Sequence, residues 1–311
     1  REILDEDSIS PTMAAMLYPN LAQSFIPYPI ASARFDHAVA LEVSWELAWR
    51  RHMGSNSFAQ SLDHLWRDQN RWIPALFLNA TWAETGKRII VSNVRVTDEY
   101  FSDVEDAQRF FEPNSLALST AVLMSARSIY NTPPGSLIKN GSIRGSVLEG
   151  GYFEHSGATT TLEILKTISS LASVDPGWTR VRPIVIHISS KPVDPRYESE
   201  TLEEAQDRGN APTPLLRSFT GPMRAMLAGR VARGVYAREA LRWHVGSSNF
   251  LYFGLCTQSD TGPTTIYERD TKLHQNQAAA AMSVSELSPC SRIFDNPGNL
   301  KEIDRQLSLR R

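Results

Sequence analysis

Between Ser146 and Ser189 the chain passes from a short apolar strand (Val147, Leu148) through Glu149-Gly150-Gly151 and a Ser/Thr-rich run into a helical pattern. It then closes on the apolar string Pro183-Ile184-Val185-Ile186-His187-Ile188-Ser189. Two glycines at a strand end permit a tight turn, and the hydroxyls of Ser156, Thr159, Thr160 and Thr161 suit a helix start. Leu162, Leu165, Ile168 and Leu171 recur at helical spacing. The near-continuous apolar string reads as a strand buried on both faces. Strand, helix, strand in that order predicts a right-handed parallel crossover, hence an α/β protein. In such sheets chemistry gathers beyond the carboxyl ends of the strands, which makes Glu149 the first candidate site residue and Gly150 and Gly151 its support.

Composition narrows the function classes. With 311 residues, 41% apolar and 21% charged, the chain can bury a core of ordinary globular size. A formal net charge of −2, with arginines scattered rather than striped among aromatics, argues against nucleic acid as a partner. Cys256 and Cys290 stand alone, without a close-spaced pair or a His cluster, so neither a disulfide framework nor a metal site is signalled. No cofactor motif accompanies them. No apolar run approaches the ~18 residues that span a bilayer, and the acidic start from Glu2 to Asp7 is unlike a signal peptide. A cytoplasmic or membrane-associated location is the expectation.

Residues 1–70 read as a helical, proline-interrupted segment, for packing or as a lid, and residues 71–311 as the α/β part. Pro19 interrupts helical spacing from about Thr12 to Phe25, and an extended Pro27-Tyr28-Pro29 segment follows. From Asp36 to Arg51, Val39, Val43, Trp45, Leu47 and Trp49 form the stripe expected to be buried. Ile73 to Thr81 and Lys87 to Ser92 predict a β-hairpin turning at Glu84-Thr85-Gly86. A buried helix from about residue 116 to 129 is expected to be capped by Asn114-Ser115 and stopped by Pro133-Pro134-Gly135. Residues 191–213 read as a polar surface loop. Phe219 to Val245 reads as a helical region broken near Gly229 and Gly234. Its Arg224, Arg230, Arg233, Arg238 and Arg242 are expected on a solvated face, the alternative being an anion site. Asn249 to Cys256 predicts a strand, 257–285 a loop with an Ala-rich helix, and Asn299 to Leu307 a terminal helix.

Three pieces in order, Pro74 to Thr81 with Glu84 to Arg88, Leu118 to Arg127 before the Pro-Pro-Gly loop, and Glu149 to Ala158, resemble the later two-thirds of a patatin-like phospholipase domain. The strand at 183–189 and the end at Asp295 to Leu300 fit larger bacterial members. The resemblance implies a three-layer α/β/α fold, truncated on its N-terminal side. It implies a lipid acyl hydrolase that uses a serine–aspartate dyad and no cofactor. In that family the serine sits in a Gly-x-Ser-x-Gly elbow, a glycine-rich turn supplies the oxyanion hole, and the acid opens an Asp-Gly-Gly motif, which falls here on Glu149, Gly150 and Gly151. A lipid or ester is the implied substrate and a membrane surface a possible partner.

Two departures follow from the match. Glu replaces Asp, and the extra methylene moves the carboxylate by about one bond length, ~1.5 Å, where even about 1 Å can cost a hundredfold in rate. No Gly-x-Ser-x-Gly occurs, the nearest run being Gly141-Ser142-Ile143-Arg144-Gly145. The nucleophile is therefore expected upstream of Arg1, leaving this chain, inactive by itself, with the acidic half of the dyad and an incomplete sheet. The other reading is a non-catalytic binding or scaffold protein of the same fold. His155 and His187 read as structural histidines, Ser156 as unable to face His155, Asp175 and Asp194 as turn formers, and Glu84 as part of the hairpin turn.

Overall fold

A computed structural model of the chain describes residues 6–20, 37–68, 72–127, 132–139, 142–189 and 214–254, together with residues 3, 25 and 70. Cys256, Cys290, Asp194, the 191–213 loop, the Pro27-Tyr28-Pro29 segment and everything expected beyond residue 254 lie outside the described residues. Two compact units divide the chain. The first comprises Arg1–Val174 with Ala228–Ala237, the second Asp175–Leu227 with Arg238–Arg311.

The first unit is built on a five-stranded sheet. Its strands are β1 (Phe77–Trp82), β2 (Arg88–Ser92), β3 (Val104–Asp106), β4 (Gly135–Lys139) and β5 (Ser142–Glu149), in the order β3-β2-β1-β5-β4. The expected hairpin is present: β1 and β2 pair antiparallel from Phe77↔Ser92 to Thr81↔Arg88. Gly86 closes its turn at φ 71°, a conformation that costs a glycine little, and its N–H reaches the Trp82 carbonyl at 2.8 Å. The strand starts at Phe77 rather than Ile73; just before it, the Leu76 N–H is held by the Asn93 side chain.

Side-chain alternation along β2 sends Ile89 and Val91 to one face and Arg88 and Ile90 to the other, and all four are buried. On the first face they meet Ala121 and Met124 of the helix Leu118–Ala126, with Leu62, Ala107, Leu137 and Val147. On the second, Ile90 packs with Val96, Phe101, Val104 and Ile164, the last from the helix Ala158–Val174. Helices thus cover both faces of a mixed sheet, which is a general α/β arrangement.

With the earlier helices Ile9–Ala15 (α1) and His37–Met53 (α2), these two are α3 and α4, and Pro214–Val245 is α5. α1 gives way at Met16 to a wider helical turn through Pro19 and Asn20, and residues 21–24 of the pattern from Thr12 to Phe25 lie outside the described residues. The expected stripe on α2 is covered only in part: Val39, Trp45 and Trp49 are half-buried, Val43 and Leu47 are exposed, and the fully buried residues are His37, Ala38 and Ala48. Trp49 stacks on Phe58, and polar contacts tie α2 to the next helix. Ser119 Oγ on α3 donates to Glu46 at 2.6 Å, and Thr120 Oγ1 donates to Glu42. Ala117 occupies the cap position of α3 with no side-chain cap, so the two α2 carboxylates supply the anionic groups that its positive end favours. Asn114 and Ser115, the expected caps, form the preceding turn instead, Asn114 at φ 59° accepting from Arg67.

The parallel crossover predicted from β5 to the 183–189 strand does not form. β5 pairs antiparallel with both β1 and β4, and the apolar string becomes β6 (Val185–Ser189), which pairs parallel with β7 (Phe250–Gly254) in the second unit. A strand–helix–strand passage with a parallel pair is therefore realised one element later, as β6–α5–β7. Nor is β6 buried on both sides: Val185 and His187 are buried while Ile186 and Ile188 are exposed. α5 runs unbroken through Gly229 and Gly234. In the second unit Leu241, Val245 and Leu251 are buried, and the His187 ring stacks on Phe250 and Tyr252.

Candidate functional site

Glu149 is the last residue of β5, paired with Ala80 across the sheet, and Gly150–Tyr152 form a single 3-10 turn beyond it. The backbone here is fastened from three directions. The Glu149 N–H donates to the Arg127 carbonyl at 3.0 Å. The Glu149 carbonyl accepts from the buried Thr81 hydroxyl at 2.9 Å, and the same hydroxyl accepts from the Phe153 N–H at 3.1 Å. Gly150 lies against β1 so closely that a Cβ would stand 2.4 Å from the Asn79 carbonyl oxygen. Only glycine fits that approach, which is the physical requirement behind the first glycine of the pair.

The carboxylate is held from α5. Arg230 Nη2 donates to Glu149 Oε1 at 2.8 Å, Arg230 Nε donates to the Gly151 carbonyl at 2.7 Å, and the guanidinium lies 4.4 Å from the centre of the Tyr152 ring. Both side chains of the ion pair are largely withdrawn from solvent, at 17% and 23% exposure. Among the described residues no hydrogen bond is made to Glu149 Oε2. One turn further along α5, Arg233 reaches the Phe153 carbonyl, and Gly234 lets the His155 ring approach to where a Cβ would stand 2.3 Å from it.

Behind the turn, a polar network occupies the sheet face under α4. Arg88 Nη1 donates to Thr160 Oγ1 at 2.8 Å, Thr160 Oγ1 donates to Asn79 Oδ1 at 2.8 Å, and Arg88 Nη2 meets Glu163 Oε2 at 2.6 Å. Glu163 Oε1 also accepts from the Ser102 N–H. Glu154, itself buried, turns both oxygens onto the start of α4, accepting from the N–H groups of Ser156 and Thr159. Its carboxylate joins the expected hydroxyl there, Ser156 Oγ, which accepts from the N–H of Ala158 at 3.2 Å.

The other residues singled out in the sequence are dispersed. Ser156 accepts from the Ala158 N–H through its hydroxyl, a local turn contact. His155 is exposed rather than buried. His187 is buried in the second unit. Asp175 accepts from the Gly177 N–H, the turn role expected of it. Glu84 accepts from the Ser146 N–H at 2.9 Å, and that bond holds its carboxyl below the ordinary value of 4.5. A depressed folded-state value contributes stability above the unfolded value and loses it as pH falls through the folded one. Glu84→Gln is therefore expected to lower thermal stability by less than about 1 kcal/mol at pH 7, the gap from wild type closing below about pH 4; equal gaps at pH 7 and pH 3 would contradict this.

Arg230 was hidden from sequence reasoning, which placed it on a solvated face; Arg238 is likewise buried, over the Tyr252 ring. The legible signals were Asn79, polar inside an apolar strand, and Gly234 four residues after Arg230. A shallow surface cleft lined by Leu62, Asp63, Gln108, Phe111, Glu112 and neighbours includes no residue of the Glu149 turn. Among the described residues no group of three His, Cys, Asp or Glu side chains is placed to hold a metal ion, and no helix is long and apolar enough to cross a membrane. No family model, curated protein or solved structure matches the chain.

Proposed function

We propose that this chain supplies the acidic member of a serine–carboxylate dyad in a lipid acyl hydrolase of the patatin-like phospholipase type, Glu149 acting as the base. The observation that carries the reading is the state of Glu149: its backbone is pinned at a strand end, one carboxylate oxygen is fixed by Arg230, and the other makes no hydrogen bond to a described residue. A fixed carboxylate with an open oxygen is the geometry a general base needs. The sheet with helices on both faces is compatible with the three-layer fold of that family.

In the proposed reaction a serine hydroxyl, from the segment expected upstream of Arg1, gives its proton to Glu149 Oε2 as its oxygen attacks the ester carbonyl. The resulting oxyanion requires preorganised N–H donors, also expected upstream. Collapse breaks the ester C–O bond, and the proton passes from Glu149 to the departing alkoxide. Water then repeats the sequence on the acyl-serine, releasing a carboxylic acid. The substrate is an ester of lipid class. The exposed side chains of Ile9, Met13 and Leu17, four residues apart, suit contact with a lipid surface.

A second reading, a non-catalytic binding or scaffold protein, draws on the same ion pair, since an arginine-bound carboxylate is partly spoken for. One experiment separates the two. The chain extended upstream to the required serine is assayed on a short-chain p-nitrophenyl ester, and Glu149→Gln is expected to reduce kcat by about 10³-fold. Absent turnover, or turnover that Glu149→Gln leaves intact, would reject the hydrolase reading.

A further inference from the structure

We infer that Arg230 is a positioning residue for Glu149, its guanidinium spanning the carboxylate and the Gly151 carbonyl so that the longer glutamate side chain is held in one place; this rests on the dyad reading above.

Three contacts converge on this one side chain. Nη2 and Nε, adjacent donors of the same planar fork, take acceptors that belong to residues two apart in the turn, Glu149 Oε1 at 2.8 Å and the Gly151 carbonyl at 2.7 Å. The Arg230 Cζ lies over the ring of Tyr152, the residue after Gly151, 4.4 Å from the centre. Arg230 therefore fixes the carboxylate relative to the backbone that carries it, not merely the charge. A guanidinium can do this because its donors are rigidly spaced; an ammonium is a point charge on a flexible stem.

Glutamate at this position makes such a clamp necessary. It has one more rotatable bond than aspartate, and an unheld carboxylate would spread over several rotamers, only some of them productive. Positioning errors of about 1 Å carry costs of about a hundredfold. Gly151 completes the arrangement: a Cβ there would stand 3.0 Å from Arg230 Nη2 and 3.3 Å from Glu149 Oε1, so a side chain would press on both partners at once. Glu149, Gly151 and Arg230 thus form one unit, joined by residues 79 to 81 positions apart in the chain.

The test uses the upstream-extended, serine-bearing chain and a short-chain p-nitrophenyl ester, with wild type, Glu149→Gln, Arg230→Met, Arg230→Lys and Arg230→Ala. Arg230→Met is expected to lower kcat about 10- to 100-fold while KM stays within about twofold, because the substrate's ground-state contacts are untouched. Arg230→Lys should fall between it and wild type, and it keeps a cation and an aliphatic stem if Arg230→Met does not fold, as judged by its melting curve. Added guanidinium ion at millimolar concentration should restore part of the kcat of Arg230→Ala, which a merely structural loss would not allow. If Glu149→Gln is inactive while Arg230→Met and Arg230→Lys both keep wild-type kcat, the clamp is refuted and the dyad stands. If wild type shows no turnover, or Glu149→Gln keeps it, the dyad falls and the clamp falls with it.

Discussion

Glu163→Ala is expected to lower the unfolding free energy by about 3–5 kcal/mol, the largest stability effect we anticipate. Arg88 opens β2 with a side chain only 3% exposed, and Glu163, 12% exposed, is its charge partner on α4. Removing the carboxylate leaves a buried guanidinium with two neutral acceptors, Thr160 Oγ1 and the Ser102 carbonyl, and with its Nε already lacking a partner. Desolvation of the cation is then uncompensated. The Ser102 N–H also loses its acceptor. Urea unfolding measures the change. A double replacement, Arg88→Met with Glu163→Leu, is expected to recover most of the loss, because burying two apolar side chains avoids the desolvation altogether. A single-variant cost below about 1 kcal/mol would mean that the pair behaves as an exposed one.

Gly150→Ala is the second. Its φ is not in the left-handed region, so the cost is collision rather than backbone conformation. The new Cβ would meet the Asn79 carbonyl oxygen at 2.4 Å and its carbon at 2.9 Å, both backbone atoms of the central strand β1. That carbonyl is already engaged by Ser125 Oγ at 2.7 Å, so it has little freedom to move aside. A destabilisation of about 3 kcal/mol is expected, read by thermal or denaturant unfolding, with loss of any activity that depends on Glu149. Gly151→Ala is the control. Its added methyl meets only the ends of the Arg230 and Glu149 side chains, and these can yield. Its stability cost should stay under about 1 kcal/mol. Equal costs at the two glycines would show that the turn, not the approach to Asn79, sets the requirement.

Much of the secondary structure was legible because it depends on local pattern. The β1–β2 hairpin, α3 and α4 lie where alternation, helical spacing and turn residues put them, and β5 ends at Glu149 with the Gly-Gly turn after it. Partner choice was not legible. The string 183–189 has the apolar content of a strand buried on both faces, yet which strand it joins depends on which edge its neighbours leave open. It pairs with Phe250–Gly254 across the length of α5. The stripe on α2 was legible only in part for a related reason: Glu42 and Glu46 also hold the helix against Ser119 and Thr120, and a hydrophobic pattern does not report carboxylate–hydroxyl contacts. Gly229 and Gly234 suggested breaks in α5, but a glycine inside a long helix costs only about 1 kcal/mol, and at Gly234 it admits the His155 ring.

By itself the sequence determined that Glu149 stands on a Gly-Gly turn at the end of a strand in an α/β chain, since strand alternation and the freedom of glycine are written in adjacent residues. Tertiary structure alone decided what the carboxylate faces. Arg230 stands 81 residues further along the chain, and on its own helix only Gly234, four residues on, hinted that its face was packed. An arginine's reach is long enough to serve either environment. Only the folded chain, by bringing one turn of α5 over the end of β5, made it the partner of Glu149.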